Sequence, residues 1–309
     1  MEFFRFKKNI PFMSYGKITT LISLVTFLVS VFFLVTRGLN FSVEFTGGTL
    51  MEVCYGKEVS LSSIRNTLNE NGFVNSTVQN LGTLNNVMIR LANRNSQKSQ
   101  DLSNNVFNLI KGKGQNVQLK SVEFIGPQVG KELVTDGLMA LFFVCFGIIV
   151  YLAFRFEWRF ALAALIANMH DVIIILGVFS FFRLEFSLTV LAAVLAVLGY
   201  SVNESVVVFD RIRENFRTNR GDSVPELINN AITVTMSRTI ITHGCTEMMV
   251  LSMLLLGGDT LHNFAIALTI GILFGIYSSV LVASPLLLLF GVSRQNLIKV
   301  EKKKEEAVV

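Results

Sequence analysis

Six long apolar stretches restrict this chain to a fold inside a lipid bilayer. A helix needs about 20 residues to cross ~30 Å of hydrocarbon, and each stretch approaches or exceeds that length. Backbone groups in lipid must be hydrogen-bonded internally, so each stretch is expected to be a helix. The predicted spans are 18–36, 133–154, 160–182, 187–209, 232–256 and 263–290. The sequence therefore predicts an α-helical polytopic membrane protein with six transmembrane helices.

The basic residues lie beside the apolar stretches rather than in one patch, so the net charge of +5 does not indicate nucleic-acid binding. They are concentrated in tail 1–17, between the second and third spans, in loop 210–231 and in tail 291–309. Positive loops stay in the cytoplasm, which predicts that both termini are cytoplasmic. Tail 1–17 shows no small-residue cleavage site, so the first span is expected to remain as an anchor.

The polar segment 37–132 is expected outside the cytoplasm as a small folded domain. Alternating and helix-period apolar residues follow one another in the order β-α-β-β-α-β, which is the ferredoxin-like α+β arrangement. The segment contains no histidine and no pair of acids at metal-ligand spacing. A docking surface is therefore favoured over a catalytic site.

Two residues of opposite charge are expected at the same depth in the membrane. Glu204 lies near the end of the fourth span and Arg238 near the start of the fifth. A charge in hydrocarbon costs a few kcal/mol and usually faces a partner or an ion path. Burial disfavours an ionised carboxyl and a nearby guanidinium favours it, so such a carboxyl can exchange a proton when the arginine moves away. We predict that this pair forms a proton pathway; the alternative is a static salt bridge.

Other polar residues inside the predicted spans are weaker candidates. Asp171, near the middle of the third span, is predicted to join the proton pathway, and a hydrogen bond between helices is the alternative. His243 and Glu247 are four residues apart on one helix face, which favours a local structural pair. The secondary polar network is predicted to contain Asn203, His170, His243 and Glu247.

The sixth span carries residues that indicate how it packs. Gly271 and Gly275 are one turn apart and predict close contact with a neighbouring helix. Pro285 predicts a kink, because a proline lacks the backbone N–H that continues the helix.

Several motifs together resemble the SecF family of the Sec protein-export system, in family order and over nearly the whole chain. They are GLNFSVEFTGGT (38–49), VEFIGPQVGKEL (122–133), HDV (170–172), GYSVNESVVVFDRIREN (199–215), SRTIIT (237–242) and SSVLVASPLLL (278–288). The resemblance implies one half-unit of the RND superfamily, with six helices and one periplasmic domain. It implies a location in the inner (cytoplasmic) membrane.

The resemblance also implies an activity and a set of partners. SecD would be the obligate partner, and together they would use the proton-motive force to help preproteins leave the SecYEG translocon on the periplasmic side. YajC is a further candidate partner. No cofactor other than the proton gradient, no metal and no enzymatic reaction are expected.

The sequence departs from the family pattern at four acidic or basic positions. Glu44 and Glu204 stand where the family commonly has aspartate, and His243 and Glu247 stand where small or apolar residues are expected. Two other functions fit the sequence. One is half of an RND-type exporter of small molecules, which usually has a larger periplasmic domain. The other is a passive assembly subunit in which the two charges of the central pair are purely structural.

Overall fold

The computed structural model describes residues 8–73, 76–81, 83–92, 99–111, 116–219 and 221–293. Within these residues, six helical stretches are long and apolar enough to cross a membrane, which confirms the predicted fold class. The helices concerned are α1 (Gly16–Arg37), α5 (Pro127–Arg155), α6 (Trp158–Phe182), α7 (Leu188–Thr218), α8 (Val224–Leu256) and α9 (Gly258–Ser278), the last continued by a π turn (Ser279–Ala283) and α10 (Ser284–Leu289). The predictions for residues 1–7 and 294–309 of the two tails lie outside the described residues.

The stretch 210–231, expected as a loop, is largely helical. Helix α7 continues to Thr218 and α8 begins at Val224. The start of α8 is fixed by a capping box in which Ser223 and Glu226 bond each other's backbone. Buried Asn215 holds the two helices together, since its amide donates to the Leu227 carbonyl at 2.9 Å. The turn between these helices is therefore short, and both extend past their apolar stretches.

The segment between α1 and α5 folds as predicted into a ferredoxin-like unit. Its antiparallel sheet has the strands in the spatial order Thr77–Leu81, Thr83–Ala92, Gly48–Tyr55 and Val117–Ile125, and residues of two helices join the strands in one apolar core. Met51, Leu68, Val78, Ile89 and Val106 are completely buried in this core. The elements are β2 (Gly48–Tyr55), α3 (Leu61–Glu70), β3 (Thr77–Leu81), β4 (Thr83–Ala92), α4 (Ser99–Lys111) and β5 (Val117–Ile125).

A short junction ties this domain to the membrane helices. Strand β1 (Asn40–Phe41) pairs in parallel with β6 (Glu185–Phe186), which lies between α6 and α7. The one-turn helix α2 (Val43–Thr46) then places Glu44 against the start of α7, where its Oε2 accepts the backbone N–H of Leu188 at 2.6 Å. A negative charge at this position satisfies a free N–H and complements the helix dipole.

The same junction is held from the domain side by an ion pair. Arg90 of β4 reaches the Glu185 carboxylate, and both side chains are mostly shielded from solvent. Gly47 and Gly48 have positive φ angles of 71° and 149°, and a Cβ on Gly47 would meet the Pro127 backbone at 2.9 Å. The paired glycines thus allow the chain to turn tightly between α2 and β2 beside the start of α5.

Helices α6, α7 and α9 form the centre of the bundle. In the most apolar part of α6 61% of the residues are buried, against 6% in α5, so α5 lies at the periphery. A Cβ on Gly271 of α9 would overlap Val197 of α7, whereas a Cβ on Gly275 would lie 3.7 Å from Ser201. Gly271 is therefore a true close-packing position, and Gly275 has room for a methyl group.

The sixth apolar stretch changes its helix type where the kink was expected. The π turn Ser279–Ala283 comes immediately before α10, and Pro285 is near the first residue of α10. The missing N–H of the proline and the bulk of its ring account for the widened turn. The Ser284 hydroxyl donates to the Ser279 carbonyl at 3.2 Å and so gives one carbonyl of this turn a hydrogen-bond donor.

The two glycines of α9 give a matched test of the packing. We expect Gly271→Ala to lower the thermal unfolding midpoint of the detergent-solubilised protein, at a cost of about 1–3 kcal/mol, because the stiff Val197 side chain cannot move aside. Gly275→Ala is the control and should leave the midpoint unchanged or slightly higher. Equal midpoints for the two variants would contradict this account of the contact.

The cap on α7 gives a second test. Glu44→Gln should destabilise the junction by about 1 kcal/mol, since the charge at the helix N-terminus is lost. Limited proteolysis between the domain and α1 should then be faster. Glu58→Gln removes the same charge from an exposed position of the domain and should change neither measurement. A proteolysis rate in Glu44→Gln equal to that of the control would show that the cap contributes little.

Candidate functional site

Asp171 lies where three central helices meet. Its side chain belongs to α6 and is 1% exposed. The Oδ2 atom accepts the hydroxyl of Ser201 from α7 at 2.8 Å and that of Ser278 at the end of α9 at 2.7 Å. The carboxyl thus joins three elements through hydroxyl donors, as the helix-bonding alternative for this residue anticipated.

His170 precedes Asp171 on α6 and contacts the same carboxyl. Its Nδ1 lies 3.3 Å from Asp171 Oδ1, and its ring stacks between Phe27 and Tyr277. The Tyr277 hydroxyl in turn bonds the Ser23 hydroxyl of α1 at 2.7 Å. The two residues are consecutive on α6, and the imidazole contacts the carboxyl of its own neighbour.

The interior near Asp171 contains further polar atoms without partners. Asn168, 1% exposed, makes no side-chain hydrogen bond to another described residue, and neither does the buried hydroxyl of Ser205. A buried polar atom without a partner is costly, so native structures rarely keep one without a functional reason. The bundle centre is therefore polar rather than uniformly apolar.

Glu204 forms the second carboxyl site, between α7 and α8. The side chain is 5% exposed. The Thr239 hydroxyl donates to its Oε1, and His243 Nε2 lies 3.3 Å from its Oε2. Both neighbours come from one face of α8, because residues four apart on a helix lie above one another.

The predicted Glu204–Arg238 pair is not formed in the structure. Arg238 is exposed, and within the described residues its side chain makes no ion pair with Glu204. Arg238 and Thr239 are consecutive, so they point about 100° apart on the helix, and it is Thr239 that faces the carboxyl. Equal depth was read from the loop boundaries, but the rotation of α8 turns the arginine outward.

The predicted local pair of His243 and Glu247 is also not formed. His243 is 2% exposed and contacts Glu204 instead, while the buried Oε2 of Glu247 makes no hydrogen bond of regular geometry to a described residue. The imidazole of His243 is directed to the Glu204 carboxyl of α7 instead of to the next turn of its own helix. Asn203 is exposed on another face of α7 and lies outside the network.

The sequence reasoning missed the hydroxyl groups that hold both carboxyls. Ser201, Ser278 and Thr239 were not chosen because serine and threonine are common in membrane helices and carry no charge. Ser201 lies one turn before Glu204, and Thr239 lies one turn before His243, so a search for hydroxyls at i±3 and i±4 of intramembrane titratable residues would have found these two. Ser278 has no titratable residue at those positions, so the sequence gives no such signal for it. Within the described part of the chain, no three His, Cys, Asp or Glu residues converge as metal ligands.

Comparison with protein families gives two matches. The family model described as protein export membrane protein SecD/SecF, C-terminal, matches residues 105–293. The SecD/SecF GG motif matches residues 32–58, which include the Gly47–Gly48 turn of the junction. The first match covers more than half of the chain.

Individual relatives agree with this assignment. The chain is 43% identical over 302 residues to the protein translocase subunit SecF of Vibrio alginolyticus, covering 97% of this chain and 96% of that protein. It is 41% identical over 273 residues to SecF of Escherichia coli O157:H7, covering 88% and 84%.

Solved structures share the fold. The crystal structure of SecDF from Thermus thermophilus, described as a translocon-associated membrane protein, matches with a TM-score of 0.83 and 33% identity over 92% of this chain. This chain spans 39% of the length of that SecDF chain. A SecDF crystal structure in a super-membrane-facing form matches with a TM-score of 0.70 and 32% identity. With the family model covering more than half of its residues and SecF relatives matching along nearly their whole length, this chain belongs to the SecF family of protein translocase subunits.

Proposed function

We propose that this chain is a Sec accessory subunit that acts with SecD. Together they would use the proton-motive force to promote preprotein translocation and release on the periplasmic side of the SecYEG channel. The relatives are named translocase subunits, and the solved Thermus structure is described as translocon-associated. YajC is a further candidate partner, no cofactor other than the proton gradient is required, and the chain's role is transport rather than catalysis of a chemical reaction.

The observation that carries the proposal is the pair of buried carboxyls inside the membrane helices. Glu204 and Asp171 are 5% and 1% exposed, and within the described residues each has only hydroxyl and imidazole neighbours. A carboxylate buried without a cation is strongly disfavoured, whereas a protonated carboxyl is tolerated there. Each site can therefore take up a proton in one state of the bundle and release it in another.

Arg238 supports the need for a membrane partner. An arginine exposed on a membrane helix usually faces a partner, an aqueous cavity or the bundle interior, because exposure to lipid is costly. In the lone chain its side chain is exposed on α8. We place the second half of the complex, SecD, against this face of α8, where an acidic group of that subunit would pair with Arg238. The longer SecDF chains provide room for such a half, since this chain covers 39% of them.

The subunit is proposed to lie in the inner (cytoplasmic) membrane with both termini in the cytoplasm. The charge distribution of the loops supports this orientation. The ferredoxin-like domain would then project into the periplasm, beside the site where preproteins emerge.

Replacement of Glu204 tests the proton-carrier role directly. We expect Glu204→Gln, in the complex with its partner, to reduce export to the level measured without a proton gradient, because an amide keeps the shape but cannot exchange a proton. Glu204→Asp should retain part of the activity. The measurement is gradient-dependent export of a preprotein into inverted membrane vesicles, with the amount of assembled complex determined by co-purification.

A control on the same helix separates the loss of a negative charge from the loss of proton exchange. Glu214→Gln removes a carboxylate near the end of α7 that pairs with Arg211, and it should leave export unchanged. Normal assembly with full export in Glu204→Gln would rule out the proton-carrier role and leave a passive assembly subunit as the function.

The orientation has its own test. Alkaline phosphatase, which is active only outside the cytoplasm, should be active when fused after Asn95 and inactive when fused after Asp222, in the connection between α7 and α8. The reverse pattern would overturn the assignment of the two sides.

A further inference from the structure

His243 is the buried titratable group that the proton-carrier role of Glu204 does not yet explain. We propose that His243 binds the transported proton in series with Glu204, and that Glu247 is the next carboxyl on the same route. This inference rests on the proposed function, since it extends the path of the proton beyond Glu204 towards the end of α8 where α9 begins.

The contact with Glu204 uses one ring nitrogen and leaves the other free. Nε2 of His243 lies 3.3 Å from Glu204 Oε2, and the side chain is 2% exposed. The buried Nδ1 makes no hydrogen bond to any residue that the structure describes. An imidazole that served only as a fixed donor would leave this nitrogen buried and unsatisfied, which native proteins avoid. A proton-transferring imidazole needs both nitrogens, one to receive the proton and one to pass it on.

Glu247 lies one helical turn beyond His243, about 6 Å further along α8. Residues four apart share a face, so Glu247 follows Thr239 and His243 on the side of α8 that meets α7 and α9. Its Oε2 is buried and has no hydrogen-bond partner of regular geometry among the described residues, and the Thr269 side chain of α9 lies beside it. His243 and Glu247 thus lie one turn apart on α8, and Glu204 of α7 contacts the first of them.

The elements packed against α8 contribute few other titratable groups here. Helix α7 presents Glu204 and Tyr200; the Tyr200 ring lies edge-on to the imidazole, with centroids 4.8 Å apart, and its hydroxyl donates to Thr246 at 3.1 Å. Helix α9 presents Thr269 and carries an exposed His262 near its start, α10 has no titratable residue, and Tyr15, before α1, is exposed. Arg238 is exposed on a different face of α8. Among the described residues, no cation therefore competes with the imidazole for the proton.

Each transfer conserves protons and breaks no other bond. Nδ1 and the Glu247 carboxyl are not hydrogen-bonded in this structure, so the first transfer needs a bridging water or a change of side-chain rotamer. A proton that passes from Glu247 to Nδ1 gives a cationic ring, and the Nε2 proton then passes to the Glu204 carboxylate. The ring is left neutral with its proton on Nδ1, Glu247 is left ionised and Glu204 is left protonated. A second proton can pass after Glu247 is reprotonated from the proton-rich side and the ring has returned to the Nε2–H tautomer.

The test uses the assembled complex and the same vesicle assay over a range of pH. A glutamine at residue 243 can still donate a hydrogen bond to Glu204 but cannot exchange a proton. We expect His243→Gln to slow gradient-dependent export by about tenfold or more. We also expect it to change the pH dependence of the export rate, because the side chain that exchanges the proton is gone. Glu247→Gln should slow export without affecting assembly.

Thr242→Val is the matched control. It changes the neighbouring residue, whose hydroxyl is bonded within α8, and should leave the rate and the pH profile as they are in the unmodified protein. Unchanged rate and pH profile in His243→Gln would overturn the inference. If His243→Gln fails to assemble, Glu247→Gln decides, and a normal rate in that variant overturns the route.

The outcomes distinguish this inference from the function on which it rests. Loss of export in Glu204→Gln together with normal export in His243→Gln would retain the proton-carrier role of Glu204 and exclude only the transfer through His243. Full export in Glu204→Gln would remove both.

Discussion

The central constraint in this structure is the burial of two carboxyl groups among helices that also face lipid. Asp171 and Glu204 are surrounded by hydroxyls and imidazoles, and the described residues bring no lysine or arginine to either one. Hydroxyl and imidazole donors offset part of the cost of burying the ionised carboxyl, whereas a guanidinium would fix the ionised form. Helices α7, α8 and α9 each contribute a group to one of the two sites.

The same helix that carries Glu204 is also attached to the ferredoxin-like domain. The Glu44 carboxylate caps the start of α7, and the Arg90–Glu185 ion pair fixes strand β4 to the connection that precedes it. A rotation or tilt of α7 would therefore move the first turn of the helix against α2 and the paired glycines. Glu204 and the attachment of the domain thus lie on one continuous helix.

Much of the fold follows from the sequence because length and apolar periodicity fix a helix in lipid independently of its neighbours. The six spans are of this kind. The ferredoxin-like domain follows instead from the order of its alternating and helix-period apolar segments. The partners of the charged residues are not, because a change of about 100° in the rotation of α8 decides whether Arg238 or Thr239 faces α7. Loop boundaries give depth along a helix axis but no rotation about it. The pairings of Glu204 and His243 thus depended on tertiary packing, and the capping of α7 by Glu44 depended on a contact between residues 144 positions apart.

The outward position of Arg238 affects the fate of the chain during its synthesis. While the Arg238 side chain has no partner, the free energy of inserting α8 into the bilayer is less favourable, because the apolar residues of α8 must offset the cost of a charge exposed to lipid. Of the six spans found in the described residues, α8 also has the lowest mean hydropathy, 1.5. A partner that covers Arg238 would therefore stabilise the insertion of α8 in the bilayer, and a chain made without that partner would lack this stabilisation.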